Sequence, residues 1–421
     1  MKNLSFLFAL VLLATACKES PKKELTVEPN IITSTAIARI DSVLKNFIDT
    51  KNIAGVSALI FEEGQEVYFN AFGYADLKEQ QQMDRNTIVQ IYSMTKPITG
   101  TALMTLFEKG KFKLDDPIAK YIPEIANMTV YTGIDSKGKI LTEPLQREIT
   151  IRDVTRHTAG FPNRGDIPGL SDLWKEADAM NRENTLTQMA EKMGNVPLWF
   201  QPGTQWEYGP SVDVQALLVE RISGVPYIDY LRENILAPLK MSDTRYFIPE
   251  EDRERFAKLY IRKDEGLLIQ DTLTYSNYTE HWPLTRGGSG LTSTLDDYMH
   301  FAQMLVNEGS YDSVQILKPE TVQLMATDQL ADSITERSWL PTKGQVGFGI
   351  DFAVRIAPPK TPGENHGVVG EFYWDGAAST LFWIDPVNKL TAVLFVQLFP
   401  YDQIGLHKQF RDAVYGPFPF E

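Results

Sequence analysis

The chain has 421 residues, 43% hydrophobic and 23% charged, a globular composition that excludes wholesale disorder and collagen-like repeats and a length of about two or three ordinary domains. Acidic residues outnumber basic ones, 55 against 41, for a formal net charge of −14, which argues against a nucleic-acid-binding surface. A single cysteine rules out an intramolecular disulfide framework.

The chain opens Met1-Lys2-Asn3 and runs through Leu4 to Leu13 as a short apolar stretch. A basic start followed by such a stretch reads as a secretory signal, too short for a stable membrane span. Ala14-Thr15-Ala16 before Cys17 resembles a bacterial lipobox, with Ala14 standing where Leu is usual and Leu13 one place earlier. The expectation is a signal of residues 1–16, cleavage before a lipidated Cys17, a charged tether over 17–34, and a protein lipid-anchored at the bacterial envelope, facing the periplasm or the outside. A plain signal peptide with an incidental cysteine is the other reading.

From about Thr35, Ile37, Ile40, Val43, Leu44, Phe47 and Ile48 recur at spacings of three and four, predicting a helix. Val56 to Phe61 and Val67 to Phe72 flank Glu62-Glu63-Gly64-Gln65, predicting a β-hairpin. Residues from about Asn86 to Arg286 read as helix and long loop. Strands are predicted at Val346 to Ile356, Gly370 to Trp374, Ser379 to Ile384 and Leu390 to Phe399, with Asp385-Pro386-Val387-Asn388 as a turn. An amphipathic helix is predicted from about Gln403 to Tyr415. Strands at both ends around a helical middle imply one antiparallel sheet built from both chain ends, with a helical insertion.

Most hydrolase signatures are missing. There is no HExxH, no pair of cysteine ligands and no phosphate-cradling GxxxxGK[ST]. Gly287-Gly288-Ser289-Gly290-Leu291 is not a nucleophile elbow, because Leu291 stands where Gly is needed. His157, His281, His300, His366 and His407 show no metal spacing, and each reads first as structural.

Ser-x-x-Lys places both side chains on one helix face, where the amine can take the hydroxyl proton. It starts at Ser20, Ser42, Ser93 and Ser136. Ser20 lies in the tether, Ser42 on an amphipathic helix with Lys45 solvated, and Ser136 in a polar loop. Ser93 follows the apolar Thr87 to Tyr92 and opens a helix that ends before Gly110, so free N–H groups at the helix start can stabilise an oxyanion. Lys96 has Tyr92, Ser93, Thr99 and Gly100 as helical neighbours, none acidic. A desolvated lysine can serve as a base. From position alone, a Ser N-cap beside a solvated Lys is an equal reading.

Ile91-Tyr92-Ser93-Met94-Thr95-Lys96-Pro97-Ile98-Thr99-Gly100 closely resembles the active-site helix of the serine β-lactamase-related superfamily, nearest to class C β-lactamases and family VIII carboxylesterases. The resemblance continues through Leu114-Asp115-Asp116-Pro117-Ile118, His157-Thr158-Ala159-Gly160-Phe161-Pro162, Pro238-Leu239-Lys240-Met241 and Gly288-Ser289-Gly290-Leu291-Thr292, and covers nearly everything after about residue 35. The family's Tyr-x-Asn falls on Tyr208-Gly209-Pro210: Tyr208 matches, and Pro210 replaces the Asn. A helix follows, with Ser211 as its expected N-cap and Gly224 as its end. Where many relatives carry Lys-Thr-Gly, Trp374-Asp375-Gly376 stands here, similar to the Trp-x-Gly of family VIII esterases. An edge strand with an exposed Trp is the plainer reading of that segment.

The resemblance implies an α/β (α+β) fold of β-lactamase/transpeptidase type: an antiparallel sheet flanked by helices, with a mostly helical subdomain. The domain spans 35–421, its sheet part about 35–86 and 287–421, its helical part about 87–286. The resemblance also implies Ser93 as nucleophile, Lys96 and Tyr208 as proton carriers, and the N–H groups of Ser93 and Ala377 as the oxyanion hole. Trp374, Asp375, Gly376 and Pro210 line the substrate pocket. The expected activity is hydrolysis of a small neutral ester through an acyl-enzyme, with no metal or organic cofactor and a small-molecule ester or amide as partner. Losing the Lys weakens recognition of a substrate carboxylate, and Asp375 opposes anions further if it faces the cleft. A D-amino-acid peptidase, an acyltransferase, a weak β-lactamase and a non-catalytic envelope lipoprotein that binds or senses a ligand remain open alternatives. Oligomeric state is not legible.

Overall fold

The computed structural model describes residues 31–263 and 268–418. The signal, Cys17 and most of the tether therefore lie outside the described residues. The first helix, Ser34–Asp49, is capped by Thr33, whose side chain accepts from the Ala36 N–H. It buries Ala36, Ile40, Leu44 and Phe47, the apolar stripe of the sequence pattern. It packs on the last helix, Leu406–Tyr415, and Arg39 Nε donates to Ala413 O at 3.1 Å.

Gly55–Glu62 and Gln65–Asp76 form the predicted hairpin. Glu63 and Gly64 turn it with positive φ of 51° and 75°, the left-handed pair that matches strand twist. Gly55–Glu62 also pairs with Leu390–Val396, Val56 opposite Val396. From one edge to the other, the eight-stranded sheet runs Val346–Phe348, Ala353–Arg355, Phe372–Asp375, Leu381–Asp385, Leu390–Val396, Gly55–Glu62, Gln65–Asp76 and Gln81–Gln82, all antiparallel. The sheet is thus built from both ends of the chain. Its apolar residues share one core with Thr95–Glu108 and Ser211–Ser223, helices that pack on each other.

Several predicted boundaries move. Val346 to Ile356 is two strands around a tight turn, with Gly349 N–H donating to Phe352 O at 2.8 Å. Leu390 to Phe399 breaks at Gln397, whose side-chain amide exchanges two 3.1 Å hydrogen bonds with the Gln90 backbone. Beyond it Leu398–Phe399 joins a separate small sheet with Tyr260–Arg262 and Leu268–Gln270. The helical middle also carries the hairpin Thr129–Ile134 with Ile140–Pro144, and Ser136 sits in its turn. The final helix starts at Leu406, three residues after Gln403. Pro210, not Ser211, holds the N-cap position of Ser211–Ser223, and Gly224 ends that helix in the left-handed region as expected.

The last helix is tied to the sheet by charge as well as packing. Glu371 Oε1 accepts from Arg355 Nε and Arg411 Nη1, each at 2.9 Å, and all three side chains are fully buried. Two guanidiniums on one carboxylate make that carboxylate indispensable to both. Glu371→Gln should lower unfolding free energy by about 3–5 kcal/mol, read as a lower urea midpoint. A midpoint within error of wild type would show that the arginines find other partners.

Candidate active site

Ser93 owes its position to an abrupt change of direction. Val89–Gln90 pairs with Thr292–Ser293, a single 3₁₀ turn spans Tyr92–Met94, and the helix Thr95–Glu108 follows. Tyr92 turns the chain with φ of +45°, costly for a bulky side chain and tolerated where the surroundings enforce it. Ser93 therefore stands in the turn at the helix start rather than inside the helix. Residues Thr95 to Leu106 of that helix are all buried, so Lys96 has no route to bulk water along its own element.

Lys96 Nζ lies 3.2 Å from Ser93 Oγ and donates to Gly288 O at 2.6 Å. Its amine sits 4.5 Å from the centroid of the Tyr208 ring. Desolvation pulls its pKa down to about 7; the Asp213 carboxylate opposes the shift and the Arg286 guanidinium adds to it. Asp213, on Ser211–Ser223, accepts from Arg286 Nη2 at 3.0 Å and from Gly288 N–H at 2.9 Å. It thereby fixes the segment whose carbonyl holds Lys96. The expected solvated lysine is instead a feature of Lys45, paired with Asp49 on an exposed face.

Tyr208 brings its hydroxyl to the same point. Trp374 Nε1 donates to it at 3.3 Å, and the His157 ring packs 4.8 Å from the Tyr208 ring, centroid to centroid. Burial pushes the phenol well up, with hydrogen bonds to Ser93 and Trp374 opposing. His157 is itself fully buried and held neutral by desolvation. Among the described residues, no cluster of three or more His, Cys, Asp or Glu is placed to hold a metal ion.

Trp374 is not an exposed edge residue. Phe372–Asp375 is an interior strand, and Trp374 is 1% exposed. Gly376 must be glycine: a Cβ there would fall 2.2 Å from Thr380 Oγ1 and 2.6 Å from Ile91 O. The strand's end can therefore press against the segment that delivers Ser93. Ala377 follows, and among the described residues neither its N–H nor that of Ser93 meets a backbone carbonyl. Pro210 borders a small recess of about 200 Å³ beside Ser93 and Lys96, without a donor to offer.

A larger cleft of about 560 Å³ opens on Ser93, Tyr208, Trp374 and Ala377 from the other side. Asp375 lines it, as the expectation allowed, yet its charge is matched: it pairs with Lys343 and accepts from Tyr401 Oη at 2.7 Å. The cation absent from the strand is thus present on another element, already engaged. Sequence reasoning missed Lys343, Trp339, Tyr401, Asp213 and Arg286. Nothing in their local sequence marks them, and each reaches the site only through tertiary contact.

The Beta-lactamase family profile matches residues 40–414. The chain belongs to that family. An uncharacterised protein of Mycobacterium tuberculosis is 31% identical over 363 residues, covering 85% of this chain and 89% of that relative. The lovastatin esterase of Penicillium rubens is 28% identical over 405 residues, covering 89% and 98%. The solved structure of simvastatin synthase (LovD) from Aspergillus terreus superposes with a TM-score of 0.78 at 23% identity, over 92% of this chain and 100% of that one. The family and fold expectations therefore hold: this is a β-lactamase/transpeptidase-like fold in a family of serine hydrolases and acyltransferases.

If Lys96 is the base for Ser93, it acts in the neutral form, which dominates above its pKa of about 7. The rate of Ser93 labelling by a fluorophosphonate should then rise with pH through a midpoint near that value. Lys96→Met should slow labelling and remove the step. A wild-type rate flat between about pH 5 and 9 would exclude Lys96 as the group that activates Ser93.

Proposed function

We propose that the protein is a carboxylesterase that acts on small neutral esters through an acyl-enzyme on Ser93. The carrying observation is the buried Lys96 amine, 3.2 Å from Ser93 Oγ with its pKa drawn to about 7. A base is most useful when its pKa lies near the working pH.

In this reading Ser93 Oγ attacks the ester carbonyl carbon as Lys96 takes the hydroxyl proton. The phenol of Tyr208 is pushed far above neutral pH, so it works as a neutral relay between Oγ and the leaving oxygen rather than as the base. The N–H groups of Ser93 and Ala377 receive the oxyanion. The tetrahedral adduct collapses, the alcohol leaves with the proton, and the acyl group stays on Oγ. Water, activated by the same amine, then attacks the acyl carbon and restores Ser93.

Substrate polarity follows from the lining. The cleft presents indole and phenol faces from Trp339, Trp374 and Tyr401, and its Lys343 is already bound to Asp375. A substrate carboxylate finds no free cation there, a loss on the order of 2 kcal/mol. Specificity constants for an aryl butyrate should exceed those for a chromogenic cephalosporin at least about tenfold, and Ser93→Ala should lower ester turnover by several orders of magnitude with the fold intact. Comparable cephalosporin turnover would restore a lactamase reading, and an active Ser93→Ala would remove the nucleophile.

The envelope location rests on the basic start Met1-Lys2-Asn3, the apolar run Leu4 to Leu13 and Ala14-Thr15-Ala16-Cys17. In a bacterial host the protein should fractionate with membranes carrying acylated Cys17, held by more than one acyl chain. Cys17→Ser should release it or leave it unprocessed. A soluble mature protein with an unmodified Cys17 would overturn the anchor.

A further inference from the structure

The wall of the large cleft carries an ion pair that the acyl-transfer steps do not use. Lys343 closes the short turn Leu340–Lys343, and Asp375 closes the strand Phe372–Asp375. Their side chains are 7% and 10% exposed and make a direct salt bridge. Tyr401 completes the group: its hydroxyl donates to Asp375 Oδ2 at 2.7 Å and accepts from Lys343 Nζ at 3.0 Å. The amine also lies 5.0 Å from the Trp374 ring centroid and 5.4 Å from that of Trp339. All of these residues line the cleft that opens on Ser93.

A buried pair of this kind adds little net stability over apolar residues of similar size, so its value as a strut is small. As a charge device it has a clear effect. A cation set among aromatic rings in an acyl cleft is a receptor for a carboxylate. Here the carboxylate is supplied by the protein itself, from the strand residue next to Trp374. The other cleft lysine, Lys408, is held by Asp412 at 2.6 Å. That pair is about a third exposed and screened by solvent, so an entering anion must displace Asp375 to gain the desolvated cation of the cleft wall.

We propose that Asp375 is a specificity-determining residue: by occupying Lys343 it excludes acyl groups with a terminal carboxylate and confines the cleft to neutral acyl chains. The proposal rests on the ester-hydrolase reading of the site. It makes selectivity switchable. Asp375→Asn keeps the side-chain volume and an acceptor for Tyr401, and leaves Lys343 free for a substrate anion.

The test compares para-nitrophenyl butyrate with para-nitrophenyl hydrogen succinate, whose acyl groups have equal carbon counts and differ in the terminal carboxylate. Asp375→Asn should raise the succinate-to-butyrate ratio of kcat/KM at least about tenfold over wild type, and adding Lys343→Met should abolish the gain. A ratio unchanged or lowered in Asp375→Asn overturns the proposal. If Asp375→Asn does not fold, Lys343→Met alone decides: it leaves Asp375 without its cation and should lower the ratio below wild type, and an unchanged ratio overturns the proposal. Binding to the Ser93→Ala protein, followed by tryptophan fluorescence, gives a readout independent of turnover. Succinic monoanilide should gain on butyranilide when Asp375→Asn is added; equal affinities in both backgrounds overturn the proposal. A wild type inert towards both esters would overturn the hydrolase reading, and the anilide comparison would still decide the role of Asp375.

Discussion

The site depends on one desolvated amine. Lys96 is 5% exposed, with its amine 2.6 Å from Gly288 O and 3.2 Å from Ser93 Oγ. Burial disfavours the ammonium form and brings the group's pKa to about 7. A lysine on a solvated helix face would keep its proton and could not accept one from serine. Much of the surrounding architecture serves to keep this amine dry and aimed. The helix Thr95–Glu108 is buried along most of its length, and Asp213 braces both Arg286 and the Gly288 backbone.

The same requirement shapes the backbone around Ser93. A strand, a left-handed Tyr92 and a single 3₁₀ turn place the hydroxyl at the start of the helix, where the next two N–H groups, of Met94 and Thr95, already bond backbone carbonyls. Gly376 lets the far strand approach Ile91 at a distance no Cβ would permit. Ser93 and Ala377 thus face one cleft although they lie 284 positions apart in the sequence. Strain at Tyr92 and the absence of a side chain at Gly376 are local costs offset by a core continuous from helix to sheet.

Charge in the cleft is balanced inside the protein. Lys343 is held by Asp375 and Tyr401, Lys408 by Asp412. Around them His157, Trp206, Tyr208, Trp339 and Trp374 form a contiguous aromatic cluster. The result is a largely aromatic cleft next to a buried amine, its two lining lysines both paired with carboxylates.

Local sequence determined a great deal. Helical periodicity marked Ser34–Asp49, two apolar runs flanking Glu62-Glu63-Gly64-Gln65 marked the first hairpin, and runs rich in β-branched and aromatic residues marked the C-terminal strands. The pairing of Ser93 with Lys96 was legible because the segment Ile91 to Gly100 resembles a known active-site helix, whereas the three-residue spacing alone occurs four times in the chain. The motifs around them carried the family. Boundaries were less legible: Gln397 ends its strand by bonding the backbone of Gln90, a partner periodicity cannot see. Burial of Lys96, the brace of Asp213 on Arg286 and the capture of Lys343 by Asp375 were decided only in three dimensions. Each depends on elements 32 or more positions apart brought within hydrogen-bond reach, and desolvation belongs to the assembled core rather than to any segment of it.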